Sequence, residues 1–187
     1  LHNCIGGIMI TIDGGTGKIK HNGHDLASKK MIDQWRRNAT LSLNGGENFI
    51  TTDWERVDGT GQGTLLGTGG MTESGGIFTF PETGIYKVEW QAYFEDSGAA
   101  GSNAINIYAT TDNSSYSSVS ASVFSVANTV SGYTYSYASA HTQSLIDVTD
   151  TSQVKVKFRV YSAGTVAVDV SSSENRNCAT FTRIGDT

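Results

Sequence analysis

Proline is nearly missing: Pro81 stands alone among 187 residues. Proline cannot donate in a sheet ladder, so almost every position of this chain keeps a usable backbone donor. Cysteine is scarce too. Cys4 and Cys178 lie near opposite ends, too few for the disulfide framework of a small secreted scaffold, and they read as small buried hydrophobes. Charged residues make up 17% and hydrophobic residues 37%, both low for a globular chain, and the balance goes to Gly, Ser, Thr and Asn. That mixture argues against a helical bundle and for a β-rich protein with many turns. The net charge of −5, with both signs scattered, offers no phosphate-tracking surface, so nucleic acid is not expected as a partner. No apolar run approaches the ~20 residues of a membrane-spanning helix, and membrane insertion is not expected. No signal-peptide pattern opens the chain. The first residue is Leu1, so a fragment or processed form of something longer is expected.

Several chemistries are missing as well. Residues 58–76, DGTGQGTLLGTGGMTESGG, are glycine-rich, but no Gly-Lys-Ser/Thr closes them, and a phosphate loop fails on chemistry. They read as a surface loop with a small apolar tuck at Leu65-Leu66. There is no Gly-x-Ser-x-Gly elbow and no twelve-residue calcium loop. Glu89 and Glu95 share a strand face, but six residues of strand put them roughly 20 Å apart, beyond either glycosidase geometry. An enzyme is not expected, nor a cofactor.

What is present is period-two patterning. From Tyr86 onward, Tyr86, Val88, Trp90, Ala92 and Phe94 fall on one face, and Lys87, Glu89, Gln91, Tyr93 and Glu95 on the other. Successive side chains of a strand leave opposite sides of the pleat, so one face is core. Ile77–Phe80 reads as a short strand, followed by a tight Pro81-Glu82-Thr83-Gly84 turn. Further strands are expected over 34–43, with Trp35, Ala39, Leu41 and Leu43 on one face and at most one helical turn before it. Others are expected over 49–57, 104–111, 116–127 (Val119, Ala121 and Val123 together), 131–141, 144–148, 153–161, 165–170 and 178–184. Asn44-Gly45-Gly46-Glu47 and Asp112-Asn113-Ser114-Ser115 read as turns. In 153–161, Val154, Val156, Phe158 and Val160 alternate with Lys155, Lys157 and Arg159. Many short strands with frequent turns and no helix make a β-sandwich or jelly roll.

Residues 1–30 differ. Ile8–Ile12 and Lys18–Lys20 flank an Asp13-Gly14 hairpin signal, with too little apolar content for a core of their own. They are expected to form an anchor or stalk segment, ahead of a head domain over 31–187.

Candidate sites are few. His21 and His24 bracket an Asn-Gly turn, and Asp112, Asp147 and Asp150 sit at loop tips; turns explain both sets better than a metal does. Tyr133, Tyr135 and Tyr137 lie among serines and threonines. They form either an inward row filling the core or a subunit interface, or an outward surface in the Tyr/Ser vocabulary of recognition. They are the receptor-binding candidates. Asn38 and Asn113 open glycosylation sequons, which Asn/Ser/Thr-rich chains also produce by chance.

Phe78, Gly84 and Tyr86, with Val88 and Trp90 following at alternate positions, resemble the second half of the signature of complement first-component-q heads and their tumour-necrosis-factor-like relatives. Val88 departs from the usual Phe, and Leu66 and Met71 depart from the signature's first half. Cys178-Ala-Thr-Phe181-Thr-Arg-Ile-Gly185 resembles that family's closing strand. The resemblance covers 34–187. The phrases Asp33-Gln-Trp-Arg, Ile50-Thr-Thr-Asp-Trp-Glu-Arg, Gly70-Met-Thr-Glu-Ser and Phe181-Thr-Arg-Ile-Gly are similar to jelly-roll proteins of tailed bacteriophages. These resemblances imply an all-β jelly-roll sandwich of two antiparallel sheets with Greek-key topology, assembled as a homotrimer. They mark Phe78, Gly84, Tyr86, Val88, Trp90, Phe94, Phe158 and Phe181 as core and fold-signature positions. They imply a virion-surface fibre tip that adheres to a host glycan or protein receptor and contacts other virion proteins through residues 1–30. The competing expectations are a capsid decoration protein, a secreted complement-like or cytokine-like trimer, and a polysaccharide depolymerase tip.

Overall fold

The computed structural model describes residues 3–5, 8–13, 18–21, 24–25, 31–67, 69–98, 101–129, 131–171 and 173–187. Among them there is no helix. Near the N-terminus, β1 (Asn3–Ile5), β2 (Ile8–Asp13), β3 (Lys18–His21) and β4 (His24–Asp25) form a four-stranded antiparallel sheet of their own. The Asp13-Gly14 signal lies at a hairpin, since Asp13 pairs with Lys18. Cys4 and the imidazoles of His21 and His24 lie outside the described side chains, and the expected helical turn before Gln34 falls largely outside the described residues.

The remaining strands build the head: β5 (Met31–Arg37), β6 (Leu41–Phe49), β7 (Trp54–Arg56), β8 (Leu65–Leu66), β9 (Thr72–Ser74), β10 (Ile77–Thr79), β11 (Gly84–Asp96), β12 (Ser102–Thr110), β13 (Ser117–Ser125), β14 (Ser136–Val148), β15 (Lys155–Asp169) and β16 (Cys178–Gly185). A front layer runs β14–β11–β16–β5, with β7 and β8 on the far side of β5. A back layer runs β13–β12–β15–β6, with β10 and β9 continuing beside β15. At its far end β15 also pairs with β11 through Val168 and Phe94, which joins the layers. This is the two-layer antiparallel jelly-roll sandwich.

β11 is the middle of the front layer because its alternation is uninterrupted. Tyr86, Val88, Trp90, Ala92 and Phe94 are buried, and they meet Phe158 and its β15 neighbours across the sandwich. The Trp90 and Phe158 rings stand 5.1 Å apart, Phe78 and Phe158 5.5 Å, and Phe78 and Phe181 5.1 Å. Each such side chain contributes roughly 1.5–3 kcal/mol by burial. Gly84 opens β11 at φ 145. A Cβ there would lie 2.6 Å from the Gly185 carbonyl oxygen and 2.8 Å from Arg183 Nε, so only glycine fits.

A buried polar knot locks β5 to the glycine-rich segment. The fully buried Asp33 carboxylate accepts from Arg56 Nε at 3.1 Å and from the Met71 backbone N–H at 2.7 Å, while Arg56 also donates to the Met71 carbonyl at 2.6 Å. Together with the Gln34 N–H to Thr64 carbonyl bond and the ion pair of Arg36 with Asp58, this pins the segment at several points, and it is not a bland loop.

Several elements differ from the sequence expectation. The strand expected over 34–43 is two strands in different layers. The break comes where Asn38 donates to the Asp53 carbonyl and Arg37 to the Asn177 carbonyl, carrying the chain from front to back. Gly45 and Gly46 do not reverse the chain. They stay within β6 at φ 90 and 83, opposite an irregularity in β15 between Ser162 and Thr165; paired glycines here bend a strand instead of turning it. Of the expected 49–57 strand, Phe49 ends β6 and Trp54–Arg56 forms β7, with 50–53 outside either strand. β15 is one strand where two were expected, because it bends at that irregularity without breaking. β14 likewise joins the expected 144–148 strand to the end of the 131–141 one. Leu65 and Leu66 are exposed rather than tucked in, held on β5 by backbone pairing with Asp33 and Ile32. In β13, Val119, Ala121 and Val123 face outward, and Ser120, Ser122 and Phe124 lie on the sandwich side. Alternation marks two faces, and here the apolar one is not the core.

Candidate functional site

The front layer's outward face is uncovered, and its residues fall in register across the strands. One row runs Leu145, Lys87, Thr182, Ile32 and Leu66, from β14 to β8. Leu145 is 64% exposed and Leu66 56%, and Ile184, extruded by the bulge opposite Ile85 and Tyr86, is also exposed. Exposed aliphatics standing together on one sheet face are unusual for a surface made only for water.

The next row, Gln143, Glu89, Thr180 and Gln34, is polar and mostly self-satisfied. Lys87 Nζ lies 2.8 Å from Glu89 Oε1, His141 Nε2 lies 3.8 Å from the same oxygen, and Gln34 Nε2 donates to Thr180 Oγ1 at 3.2 Å. Glu89 thus has basic neighbours and no second carboxylate beside it. Beyond this row the 173–177 segment leans over the sheet. Gln91 Nε2 donates to the Asn175 carbonyl, and Arg176 pairs with Asp169 at 2.6 Å and Glu174 at 3.0 Å. Those two hydrogen-bonded carboxylates raise the Arg176 pKa above its ordinary value. A cleft of about 470 Å³ opens between this segment and Tyr93, Ser139 and His141. Cys178 is buried among these groups, and burial pushes its thiol up to about 11.

The far end of the face is aromatic. The Tyr93 and Tyr137 rings stack at 5.5 Å and 24°, the Arg176 guanidinium sits 5.1 Å over Tyr93, and Tyr135 stands 6.4 Å from Tyr137. Tyr133, Tyr135 and Tyr137 are 73%, 43% and 52% exposed. The inward, core-filling alternative is therefore corrected: β14 begins at Ser136, so Tyr133 and Tyr135 belong to the segment before it, and only Tyr137 is in the ladder. Phe78, Gly84, Tyr86, Val88, Trp90, Phe94, Phe158 and Phe181 are all buried in the sandwich.

The loop-tip aspartates act as turn caps. Asp112 accepts from the backbone of Ser114 and Ser115 and from the Thr110 hydroxyl, bonds that hold its carboxyl well below the usual carboxylate range. Asp150 accepts from the backbone and hydroxyl of Ser152, which lower it likewise. Among the described residues no three metal-ligating side chains converge.

One feature escaped the sequence reading although the signal was in plain view. Between Asp112 and Asp147 there is no Asp, Glu, Lys or Arg. That run supplies both β13 and β14, each of which pairs on one side only among the described residues. The two edges sit on the same flank of the sandwich, tied by a 2.5 Å hydrogen bond between Ser120 Oγ and Thr142 Oγ1. Edge strands are normally guarded with charge or proline, and this flank has neither apart from Asp147 near the end of β14.

Comparison with known proteins places the fold. No family model matches the chain, and no curated protein does. Among solved structures it is similar to crystal structures of murine APRIL at pH 8.5 and pH 5.0, each with TM-score 0.58 and 13% identity, covering 83% of this chain and all of that one. A third, of murine APRIL at pH 8.0, has TM-score 0.58 at 14% identity and the same coverage. The head shares the all-β jelly-roll fold with these structures.

Proposed function

We propose that this chain is a non-enzymatic, self-assembling binding module whose head forms a homotrimer. The observation that carries this is the pairing of an unguarded flank with an uncovered face. The β13–β14 flank of one copy, without charge over residues 113–146, packs against the aliphatic row of Leu145, Ile32 and Leu66 on the next. Flank and face are different surfaces of one chain, so the contact is head-to-tail and closes only as a ring. The resemblance to tumour-necrosis-factor-like jelly rolls supplies the number three. The assembly presents Tyr133, Tyr135 and Tyr137 for adhesion. The finer reading is a fibre tip on a tailed-phage virion, anchored through residues 1–30 and adhering to a host surface glycan or receptor. Its support is the phage-like phrasing of the sequence and the separate N-terminal sheet.

Sedimentation of the purified chain tests the assembly: a three-chain mass is expected, and a monomer at micromolar concentration overturns it. Labelled trimer incubated with candidate host cells tests adhesion, which fails if no cell type retains it. Imaging whole particles with a tag on this chain tests the virion setting.

A further inference from the structure

The back layer's outward face has a different chemistry, and the assembly above leaves it free. Lys155, Lys157 and Arg159 alternate with the buried Val156 and Phe158, so the three cations leave the same side of β15. Positions two apart on a strand are about 7 Å apart, which makes a basic line about 13 Å long. Aromatic rings from three other segments flank it. Lys157 Nζ lies 4.0 Å from the centres of both the Phe49 and Tyr116 rings, and Arg159 lies 5.0 Å over Tyr108. Phe49 meets Tyr108 edge-on at 5.1 Å and stays 39% exposed.

Carboxylates balance this line only in part. Arg159 pairs with Glu47 and donates to Asn106 Oδ1 at 3.0 Å. Among the described residues neither Lys155 nor Lys157 has a carboxylate within ion-pairing distance, although acidic residues outnumber basic ones in the chain. Among the described residues the Tyr116 hydroxyl has no hydrogen-bond partner. An ammonium held between two rings has shed part of its water and gained only ring faces in exchange. Such a group gains most from a ligand that brings an anion and a flat apolar surface together.

We infer that the outward face of β6, β15 and β12 binds an acidic saccharide, a carboxylated or sulfated polysaccharide chain. Lys155 and Lys157 receive the anionic groups, and the exposed Phe49 ring carries the C–H face of a sugar ring. The inference names a ligand class for the adhesion proposed above and rests on that reading only for the gain from multivalency. A neutral glycan would leave the lysines unanswered, and a small inorganic anion would leave Phe49 unused.

The test titrates the full chain with polygalacturonate, dextran sulfate and neutral dextran, and repeats it with K155Q/K157Q and with K20Q in the N-terminal sheet. The expected result is binding to both acidic polymers that weakens as salt rises, none to neutral dextran, and at least a tenfold loss in K155Q/K157Q but not in K20Q. Acetylation footprinting of the unmodified chain gives a readout independent of variant folding: bound polymer should shield Lys155 and Lys157 and leave the labelling of Lys20 unchanged. Equal binding of neutral dextran, unchanged affinity in K155Q/K157Q, no shielding, or preference for phosphatidylserine vesicles over both polymers overturns the inference. A ring that ignores acidic polymers fails this inference alone. Polymer binding by a chain that never forms a ring fails the assembly alone.

Discussion

The two outward faces of this sandwich share one core and present opposite chemistry. On the front, aliphatic side chains stand bare while the charges are largely paired with one another: Lys87 with Glu89, and Arg176 with Asp169 and Glu174. On the back, large rings are capped by Lys157 and Arg159, and among the described residues neither Lys157 nor its neighbour Lys155 has a carboxylate partner. A face with quenched charge and open hydrocarbon suits another protein surface, since nothing on it loses strong hydration when covered. A face with open charge over rings suits water or a polar ligand. The inward sides are alike in both layers, so interior patterning reports the fold and the outward sides report the use.

The comparison can be broken first at the shared core. Trp90→Ala removes the ring at the centre of the sandwich and should cost about 3–5 kcal/mol. Front and back probes, Tyr93 and Tyr108 signals for example, should then melt together in denaturant. Separate transitions would show that the faces belong to different cooperative units. Asp33→Ala, which leaves the Met71 N–H without its acceptor and takes the carboxylate from a partly exposed Arg56, should cost about 1–3 kcal/mol by the same measurement.

Leu145→Asp probes the front alone. It should convert the assembly to monomer in sedimentation at little cost to the melting temperature, whereas Phe49→Ala on the back should leave the assembly intact. A shared effect would erase the distinction. On the back, Lys157→Met keeps the hydrocarbon stem and removes a cation whose ring contacts are worth about 0.5–2 kcal/mol but whose burial lowers its pKa, so the two effects oppose each other and the melting temperature should move little. The folded state releases that proton before the unfolded one does, so this group's contribution to stability should rise as the pH climbs through the lowered value towards that of the unfolded lysine.

Cys178 sharpens the picture of the front cleft. With its thiol near 11, about one molecule in a thousand carries the thiolate at pH 8. Iodoacetamide should leave the Cys178 peptide unmodified by mass spectrometry until denaturant is added. The smallest effect belongs to Asp112. Its folded pKa is depressed, so its contribution is present above the unfolded value near 3.9 and is lost as the pH falls through the folded one. Asp112→Asn should flatten the acid limb of a stability–pH curve by slightly lowering stability at neutral pH while leaving the acid end unchanged.

The head's fold was readable because β11 and the first half of β15 alternate without interruption, and no helical pattern competes. The layer change at Asn38 was not readable. Periodicity says which side of a strand is buried, not which sheet the strand joins, and the hydrogen bonds to Asp53 and Asn177 that divert the chain come from distant sequence. β13 misled for a related reason: its apolar residues alternate correctly, yet serines take the inner side next to Thr142. The uncovered face was illegible in part, because its row is assembled from five strands with Leu66 and Leu145 far apart in the chain. The flank was legible, since the absence of charge between Asp112 and Asp147 is visible in one line of sequence.

The pairing of β5 with β16 also constrains how the head is made. Met31 lies against Arg183 and Arg36 against Cys178, so the head's first strand, with β7 and β8 available early on one side, finds its other neighbour only after the last strand exists. On the ribosome that side of β5 must wait through nearly the whole synthesis of the domain, with Met31 unsheltered. Pairing across such separations is slow, in the millisecond-to-second range typical of sandwiches, and such waiting strands are open to aggregation. Yield of soluble head should therefore respond to translation speed and chaperone supply more than to the small surface changes that separate its two faces.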